Sequence, residues 1–253
     1  MKDGVGTLEI TNTDDRAFIQ NCIERILERV AELGYNISVE QSFDDLKMHL
    51  AAQGAVINPS FDPEEHDLDD AFWLRVSDED GTTVACHAER IYSTSNFVSD
   101  YLGTGRLWWQ RSPTQAPETW RDEILEPPVI LSGTVAYAGS MLIAKPHRGR
   151  GLSLLLPYLS RALCIRNYES DFHTGIVRES LAGSTVPTGN YGFPRTTPIF
   201  KGTLPGLQGP KEQVHLCWMN QREGIDRFAM LPDHPKFPVH LFDAPTRPSS
   251  RNV

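Results

Sequence analysis

The sequence predicts an α/β protein, because segments with helical periodicity alternate with apolar runs typical of buried strands. Three observations carry this prediction. Apolar residues recur every three or four positions through residues 14–33, and two β-rich runs flank a turn signal at residues 78–81. An apolar strand at residues 134–144 then leads through a glycine-rich turn into an apolar helix. Together these features indicate strands and helices that share one domain.

The first elements expected along the chain are a short strand at residues 7–11 and two helices. Asp14 can cap the first helix, and Gly34 ends it, because glycine adopts the conformation that commonly follows a helix. Ser42 caps a second, shorter helix that ends near Gly54. The start of the chain therefore predicts a strand followed by two helices.

A β-hairpin is expected after an exposed loop. Residues 58–70 carry two prolines and a cluster of acids, which is typical of a surface loop. The runs 72–77 and 82–92 are rich in β-forming residues, and Gly81 between them supplies the positive φ of a tight turn. An insertion at about residues 93–132 comes next, in which several prolines restrict regular structure.

The second half of the chain predicts a strand, a long helix and further strands. The strand at residues 134–144 passes into the helix, where Pro157 is expected to introduce a kink because proline lacks a backbone N–H. Apolar segments near residues 172–177 and 214–219 are expected to be strands. The elements thus extend to about Asn220, after which prolines become frequent.

Length and charge limit the domain organisation and the partners. A chain of 253 residues can bury a substantial core, and we predict one domain over residues 1–220 and a proline-rich tail at residues 221–253. The 24 basic against 33 acidic residues give a net charge of -9. Because phosphate backbones are bound by basic surfaces, we expect no nucleic-acid partner.

The cysteines and the apolar runs indicate the compartment. No run of residues reaches membrane-spanning length, so no membrane partner is expected. The cysteines lie far apart and show no zinc-site spacing, so they are expected to be reduced thiols and no metal is expected. The sequence therefore predicts a cytoplasmic protein. The four cysteines are Cys22, Cys86, Cys164 and Cys217.

The most informative motif is the glycine-rich turn between the strand at residues 134–144 and the helix that follows. Arg148, Gly149, Arg150 and Gly151 stand where backbone N–H groups and the helix dipole converge, which favours phosphate. The spacing is neither that of a nucleotide P-loop nor that of a Rossmann turn. An ordinary strand-to-helix turn is the alternative interpretation.

The segment MLIAKPHRGRGLSLLL resembles the acetyl-CoA pyrophosphate motif of the GCN5-related N-acetyltransferases, [QR]xxGx[GA]. Arg148 matches its first position and Gly151 its glycine, whereas Ser153 departs from the usual glycine or alanine. Gly192-Phe193 resembles the end of the family's second common signature. The resemblance covers residues from about 7 to 220, and it implies acetyl-CoA or another acyl-CoA as co-substrate.

The resemblance also implies a fold, a reaction and a set of cofactor residues. The fold is a mixed, splayed β-sheet flanked by α-helices. The reaction is direct transfer of an acetyl or other acyl group from CoA to an amine of a small molecule or peptide. The residues implied to bind the cofactor are Leu142, Ile143, Ala144, Arg148, Gly149, Arg150, Gly151, Leu152 and Ser153.

Three residues are candidates for the proton transfers. The family often has a tyrosine acid at the position that Thr188 occupies here, and Tyr191 stands three residues later. Tyr191 is therefore the candidate acid, with a core tyrosine as the alternative. Glu89 and His87 share one face of a hairpin strand and are candidate bases, with an ordinary solvated face as the alternative.

Several features of the sequence are compatible with more than one role. A non-catalytic acyl-CoA-binding or protein-interaction module would keep the turn and lose the acid. Trp108 and Trp109 either line an acceptor pocket or anchor the insertion to the domain. The acidic loop either attracts a cationic amine or is simply solvated. The sequence does not decide between a monomer and a homodimer.

Overall fold

The computed structural model describes residues 13–111, 121–124, 129–204 and 210–231. Within these ranges the strands form one eight-stranded sheet with the order β1-β2-β3-β5-β6-β8-β7-β4. The strands are β1 (Asn36–Glu40), β2 (Ala71–Ser77), β3 (Thr83–Thr94), β4 (Arg121–Ile124), β5 (Gly133–Ile143), β6 (Phe172–Arg178), β7 (Arg195–Gly202) and β8 (Glu212–Asn220).

Helices cover both faces of the sheet. The helices are α1 (Thr13–Glu32), α2 (Phe43–Ala52), α3 (Leu152–Tyr168), α4 (Glu179–Ala182) and α5 (Gln221–Ala229). Apolar residues of α1, α3 and α5 share one buried cluster, while α2 belongs to a second cluster on the other face. The predicted mixed sheet flanked by helices is therefore confirmed.

One pair of strands sets the geometry of the site. All neighbouring strands run antiparallel except β5 and β6, which run parallel. Their ladder begins at Val135 and Phe172 and ends at Ala138 and Gly175, although both strands continue further. The second halves of β5 and β6 therefore separate, and the sheet is splayed at this point.

Neither β1 nor β4 was expected from the sequence. β1 lies between the two predicted helices, at the edge of the sheet, whereas the strand predicted at residues 7–11 lies outside the described residues. All five residues of β1 are exposed or half-buried, so its sequence carries little apolar signal. β4 lies inside the insertion that was expected to be irregular, and it pairs with β7.

Residues 221–229, which fall in the predicted tail, form α5 instead. A capping box starts this helix: the Asn220 side chain accepts from the backbone N–H of Glu223, and the Glu223 carboxylate accepts from the backbone N–H of Asn220. Ile225 and Phe228 are buried in the cluster of α1 and α3. The remainder of the predicted tail, from residue 232, lies outside the described residues.

The insertion is anchored to the domain by Trp108 and Trp109. Trp108 is fully buried, and its ring makes edge-on contacts with Trp109 and Phe200. Neither tryptophan lines the large cavity between β5 and β6. Anchoring is therefore the role that the structure gives to Trp108 and Trp109.

Candidate active site

A β-bulge in β5 faces the gap between β5 and β6. Cys86 pairs with Leu142 and Ala88 with Gly139, so three steps along β5 oppose two steps along β3. Ser140 takes up the extra residue with a φ of 46°, and its hydroxyl accepts from the backbone N–H of Asn58 at 3.3 Å. Gly139 and Ser140 therefore form a β-bulge within β5.

Gly139 is required at the bulge by a close neighbour. A Cβ at this position would lie 2.6 Å from the ring of Phe61, so no larger residue fits without a shift. The Phe61 ring in turn stacks on Tyr137, with ring centroids 5.7 Å apart. The bulge is thus held rigidly from the α2 face of the sheet.

A cavity of about 740 Å³ fills the gap between β5 and β6. Residues from both faces of the sheet line it: Leu50 and Ala55 from the α2 side, and Pro157 and Arg161 from the α3 side. The cavity therefore passes through the sheet where the two strands separate. Its wall on β5 is the bulged segment, including Ser140.

Buried polar side chains line the cavity on its α3 side. His87 and Glu89 of β3 are only 4% and 3% exposed. The alternative interpretation of the sequence, that they lie on an ordinary solvated face, is therefore wrong. Glu89 Oε1 accepts from Ser160 Oγ at 2.7 Å and lies 3.5 Å from His87 Nε2. Glu89 Oε2 is buried and has no hydrogen-bond partner among the described residues. The carboxylate thus keeps one oxygen unused.

Arg161 is the second charged group at this end of the cavity. Its Nη2 donates to the backbone oxygen of Tyr191 at 2.6 Å, and its guanidinium lies over the rings of Tyr158 and Phe193 at 5.2 Å from each centroid. Burial lowers the pKa of Arg161, and Tyr158 and Glu89 oppose that shift. Arginine remains charged in proteins, so the cavity contains a buried cation.

His173 of β6 completes the polar wall. Its Nε2 lies 3.0 Å from Ser170 Oγ, and its buried Nδ1 has no hydrogen-bond partner in the described part of the chain. Burial, aided by the nearby charge of Arg161, lowers the pKa of His173 well below its ordinary value. The imidazole is therefore neutral at physiological pH.

Tyr191 lines the same cavity from the segment before β7. Burial, with a smaller effect of Cys217, raises the pKa of Tyr191 and keeps its hydroxyl protonated. The next residue, Gly192, has a φ of 71°, and a Cβ there would lie 2.6 Å from Tyr158 Oη. Thr188, by contrast, is exposed and does not line the cavity.

The glycine-rich turn lies at the N-terminus of α3 and opens to solvent. Gly149 and Gly151 have φ angles of 80° and 89°, and a Cβ at either would meet nothing within 4 Å. Positive φ explains both glycines, because residues with side chains are strained in this conformation. The turn therefore leaves open space in front of the first backbone N–H groups of α3. These groups have no hydrogen-bond partners within the helix.

Two arginines flank this open space. Arg148 and Arg150 are both exposed. Arg148 Nε donates to the backbone oxygen of Ile143 at 3.0 Å, while the Arg150 guanidinium lies 5.9 Å from the centroid of the Tyr35 ring. The turn thus combines backbone donors with two positive charges, an arrangement suited to phosphate groups.

A groove of about 330 Å³ runs along the turn and shares lining residues with the cavity. Met141 and Leu142 of β5 line both spaces, so one strand segment connects them. Of the predicted cofactor residues, those that line the groove are Leu142, Ile143, Arg148, Gly149, Gly151, Leu152 and Ser153.

Two predicted cofactor residues stand apart from the groove wall. Ala144 donates its backbone N–H to the oxygen of Val84 at 2.9 Å and lines neither space, because it still belongs to the pairing with β3. Arg150 lies on the exposed side of the turn. Ser153 lines the groove, and its hydroxyl accepts from Asn190 Nδ2 at 3.1 Å.

Arg161 was missed by sequence reasoning. It stands in an otherwise apolar stretch of α3, LLLPYLSRALCI, and a lone arginine among buried apolar residues was the available signal. His173 carries an even weaker signal, because nothing in the sequence places it beside Arg161.

The cysteines show no sign of a nucleophilic role. All four are free and buried, and burial raises the pKa of Cys22, of Cys86 and of Cys217 to about 12. In the described ranges, no group of three or more His, Cys, Asp or Glu residues is placed to hold a metal. No helix described by the structure is long and apolar enough to span a membrane.

No family model and no curated protein matches this sequence. Among solved structures, NAA60 from Arabidopsis thaliana in complex with acetyl-CoA has a TM-score of 0.45 at 8% identity, covering 74% of this chain and 99% of its own. A spermidine N-acetyltransferase SpeG chimera from Vibrio cholerae and hSSAT has a TM-score of 0.43 at 11% identity, covering 75% and 98%. The CoA-dependent acyl-homoserine lactone synthase BjaI has 0.42 at 15%, covering 78% and 90%. Scores this low carry no argument about the activity of this chain.

Proposed function

We propose that this chain is an acyl-CoA-dependent N-acyltransferase that transfers an acetyl or other acyl group to an amine of a small molecule or peptide. One observation carries the proposal: the phosphate-suited groove and the cavity with buried acid and base groups share Met141 and Leu142 of β5. A long, thin substrate with phosphates at one end and a reacting group at the other fits this connected space. Acyl-CoA is such a substrate.

The turn supplies the binding end of the site. Backbone N–H groups at the start of α3 and the charge of Arg148 face the pyrophosphate of CoA, and the exposed charge of Arg150 adds to the positive potential of the turn. Leu142 and Ile143 line the path from the turn toward the gap between β5 and β6. Beyond Ala138, the backbone groups of β5 that point toward β6 have no strand partner in the described sheet, so they can bond the amides of pantetheine.

The buried end supplies the chemistry of direct transfer. The amine nitrogen attacks the thioester carbonyl, so that a C–N bond forms and the C–S bond breaks. Glu89 takes the proton of the amine, directly or through His87, and Tyr191 gives its proton to the departing sulfur. The bulge at Ser140 presents backbone donors to the carbonyl oxygen as its negative charge grows.

The burial of these groups favours this assignment. Glu89 Oε2 and both ring nitrogens of His87 are buried and have no hydrogen-bond partner among the described residues. Buried polar groups normally find partners, so unused ones that line a cavity mark the position of a substrate. The four separate buried thiols fit a reducing compartment, and we therefore place the protein in the cytoplasm.

The proposal is tested by calorimetric titration of acetyl-CoA and CoA into the parent protein and a Gly151→Trp variant. We expect micromolar binding by the parent and at least 100-fold weaker binding by the variant, because the indole fills the space in front of the turn. Gly81→Trp is the matched control. Gly81 has a φ of 78° and nothing within 4 Å of a Cβ, and it lines neither the groove nor the cavity.

The control separates blockage of the turn from backbone strain, since both variants place a side chain at positive φ. Circular dichroism confirms that each variant is folded. If the parent does not bind either compound, the proposed function is wrong. If Gly81→Trp weakens binding as much as Gly151→Trp does, the turn is not the CoA site.

A further inference from the structure

The buried end of the cavity contains a cation whose donors are not all used by the protein. Arg161 is only 2% exposed, and its Nε and Nη1 have no hydrogen-bond partner among the described residues. Leaving a buried charged donor unpaired is costly, so buried charges are normally paired. Arg161 lines the cavity, and a group inside the cavity can supply the missing acceptors.

Other contacts hold the guanidinium in place for such a group. Its Nη2 donates to the backbone oxygen of Tyr191, and the rings of Tyr158 and Phe193 lie 5.2 Å from its central carbon. Nη2 keeps a second N–H in the guanidinium plane, and this N–H lies parallel to that of either Nε or Nη1, so a planar fork remains available. That fork matches the two oxygens of a carboxylate.

Among the residues that the structure describes, no carboxylate pairs with Arg161. Glu89 also lines the cavity, yet no ion pair joins it to Arg161 among the residues that the structure describes. Glu89 instead accepts from Ser160 and keeps Oε2 unpaired. The two side chains therefore line one cavity without forming an ion pair, and each keeps buried polar atoms unpartnered.

We propose that Arg161 binds a carboxylate carried by one of the two reactants, and this inference rests on the proposed function. The carboxylate belongs either to the acceptor, which is then an amino acid, or to the acyl group, which is then derived from a dicarboxylic acid. In the first case the amine of the acceptor lies toward Glu89. The carboxylate itself is not altered by the reaction.

Release of free CoA thiol by the parent protein tests the inference and identifies the source of the carboxylate. One arm uses acetyl-CoA and compares leucine with isopentylamine and phenylalanine with phenethylamine, pairs that differ only in the carboxylate. The other arm uses phenethylamine and compares succinyl-CoA with butyryl-CoA, which have acyl chains of equal length. We expect at least about a tenfold higher kcat/KM for the carboxylate in one arm, the scale of one charged hydrogen-bonded pair.

Substitution of Arg161 links the preference to this residue. Arg161→Gln should reduce the preference to within about threefold of unity, and Arg161→Lys, which keeps the charge but loses the fork, should retain part of it. The preference is the ratio of two kcat/KM values measured on one sample. Partial loss of folded protein lowers both values equally and leaves the ratio unchanged. Arg161→Lys keeps the test valid where Arg161→Gln does not fold.

Arg90→Gln is the matched control. Arg90 is a second buried arginine, but it donates to the backbone oxygens of Ser60 and Asp67 and to Gln110, and it does not line the cavity. Its substitution should leave the preference unchanged. If Arg161→Gln keeps the full preference, the carboxylate is bound elsewhere and the inference is wrong.

The outcomes separate the inference from the proposed function. If the substrates without the carboxylate react as fast as those with it in both arms, the inference is wrong. The proposed N-acyl transfer is then still supported. Absence of turnover with every pair, by a folded parent, overturns both. A preference in the acceptor arm identifies an amino acid substrate, and a preference in the donor arm identifies a dicarboxylic acyl group.

Discussion

The glycine-rich turn and the buried end of the cavity between β5 and β6, where Glu89 and Arg161 lie, both carry charge, but they differ in their access to water. Arg148 and Arg150 are exposed, whereas Glu89 and Arg161 are almost completely buried. Exposed charges attract a ligand over a distance and are weakened by salt, whereas buried charges act strongly on any group that enters. The turn is therefore suited to capture of a substrate and the buried end to its chemistry.

The two regions also differ in how the chain builds them. The turn is a local structure, in which two glycines and two arginines stand within four consecutive residues. The buried end joins β3, α3 and β6, and Ser160 and Glu89, which share a hydrogen bond, are 71 positions apart. A change in the turn should therefore act on binding, and a change in the buried end on catalysis and stability.

The largest expected effect is on catalysis, and it tests the division between the turn and the buried end most directly. Glu89→Gln removes the base but keeps an oxygen that can accept from Ser160. We expect kcat to fall by about 10² to 10⁴, the usual contribution of a positioned base. The Kd for acetyl-CoA should stay within about twofold, as measured by calorimetry.

Glu79→Gln is the control for this substitution, because Glu79 is exposed in the turn of the same hairpin and lines neither space. It should leave both kcat and Kd unchanged. A Glu89→Gln protein with normal kcat and weakened acetyl-CoA binding would contradict the division between the two regions.

The second effect is on stability at acid pH, and His173 at the buried end contributes to it. Burial and the charge of Arg161 lower the pKa of His173 well below its ordinary value of 6.5. Its contribution to stability is therefore complete above pH 6.5 and is lost as the pH falls, because the unfolded chain takes up a proton first. Between pH 7 and pH 5 the loss should be about 2 kcal/mol.

Chemical denaturation at the two pH values measures this loss, and His173→Gln should remove it. His66→Gln should remove a separate share, because burial, with a smaller effect of Arg90, lowers the pKa of His66 to about 4. The readout is the change between pH values within each protein, so a general loss of stability in a variant does not affect it. Equal acid sensitivity of the parent and His173→Gln would show that His173 is not buried in neutral form.

The smallest expected effect is on the affinity for acetyl-CoA, and it tests the role of the turn in binding. Arg148→Ala should raise the Kd for acetyl-CoA about tenfold, because one charge-assisted contact to phosphate is lost, and should leave kcat unchanged. The difference between parent and variant should shrink as salt is added, since the charge is exposed. Arg25→Ala is the control, because the half-buried Arg25 pairs with Glu28 on α1 and lines neither space, and it should not change the Kd.

The sequence was sufficient wherever the signal is local. The hairpin of β2 and β3 lies within a few residues of its prediction, because Gly81 with a φ of 78° follows from the turn chemistry alone. The helix α5 was missed although its capping box, Asn220 and Glu223, stands in the sequence. The prolines that follow obscured it, and its burial against α1 and α3 decided the outcome.

By itself, the sequence determined the succession of strands and helices and the phosphate-suited turn, because these depend on backbone conformation and on residues close together in the chain. Only the tertiary structure decided that β5 and β6 separate after Ala138, and that Glu89, Arg161 and His173 then line one cavity. The physical reason is burial. A carboxylate on a strand and an arginine on a helix are ordinary surface residues until packing removes them from water, and no local pattern specifies that packing.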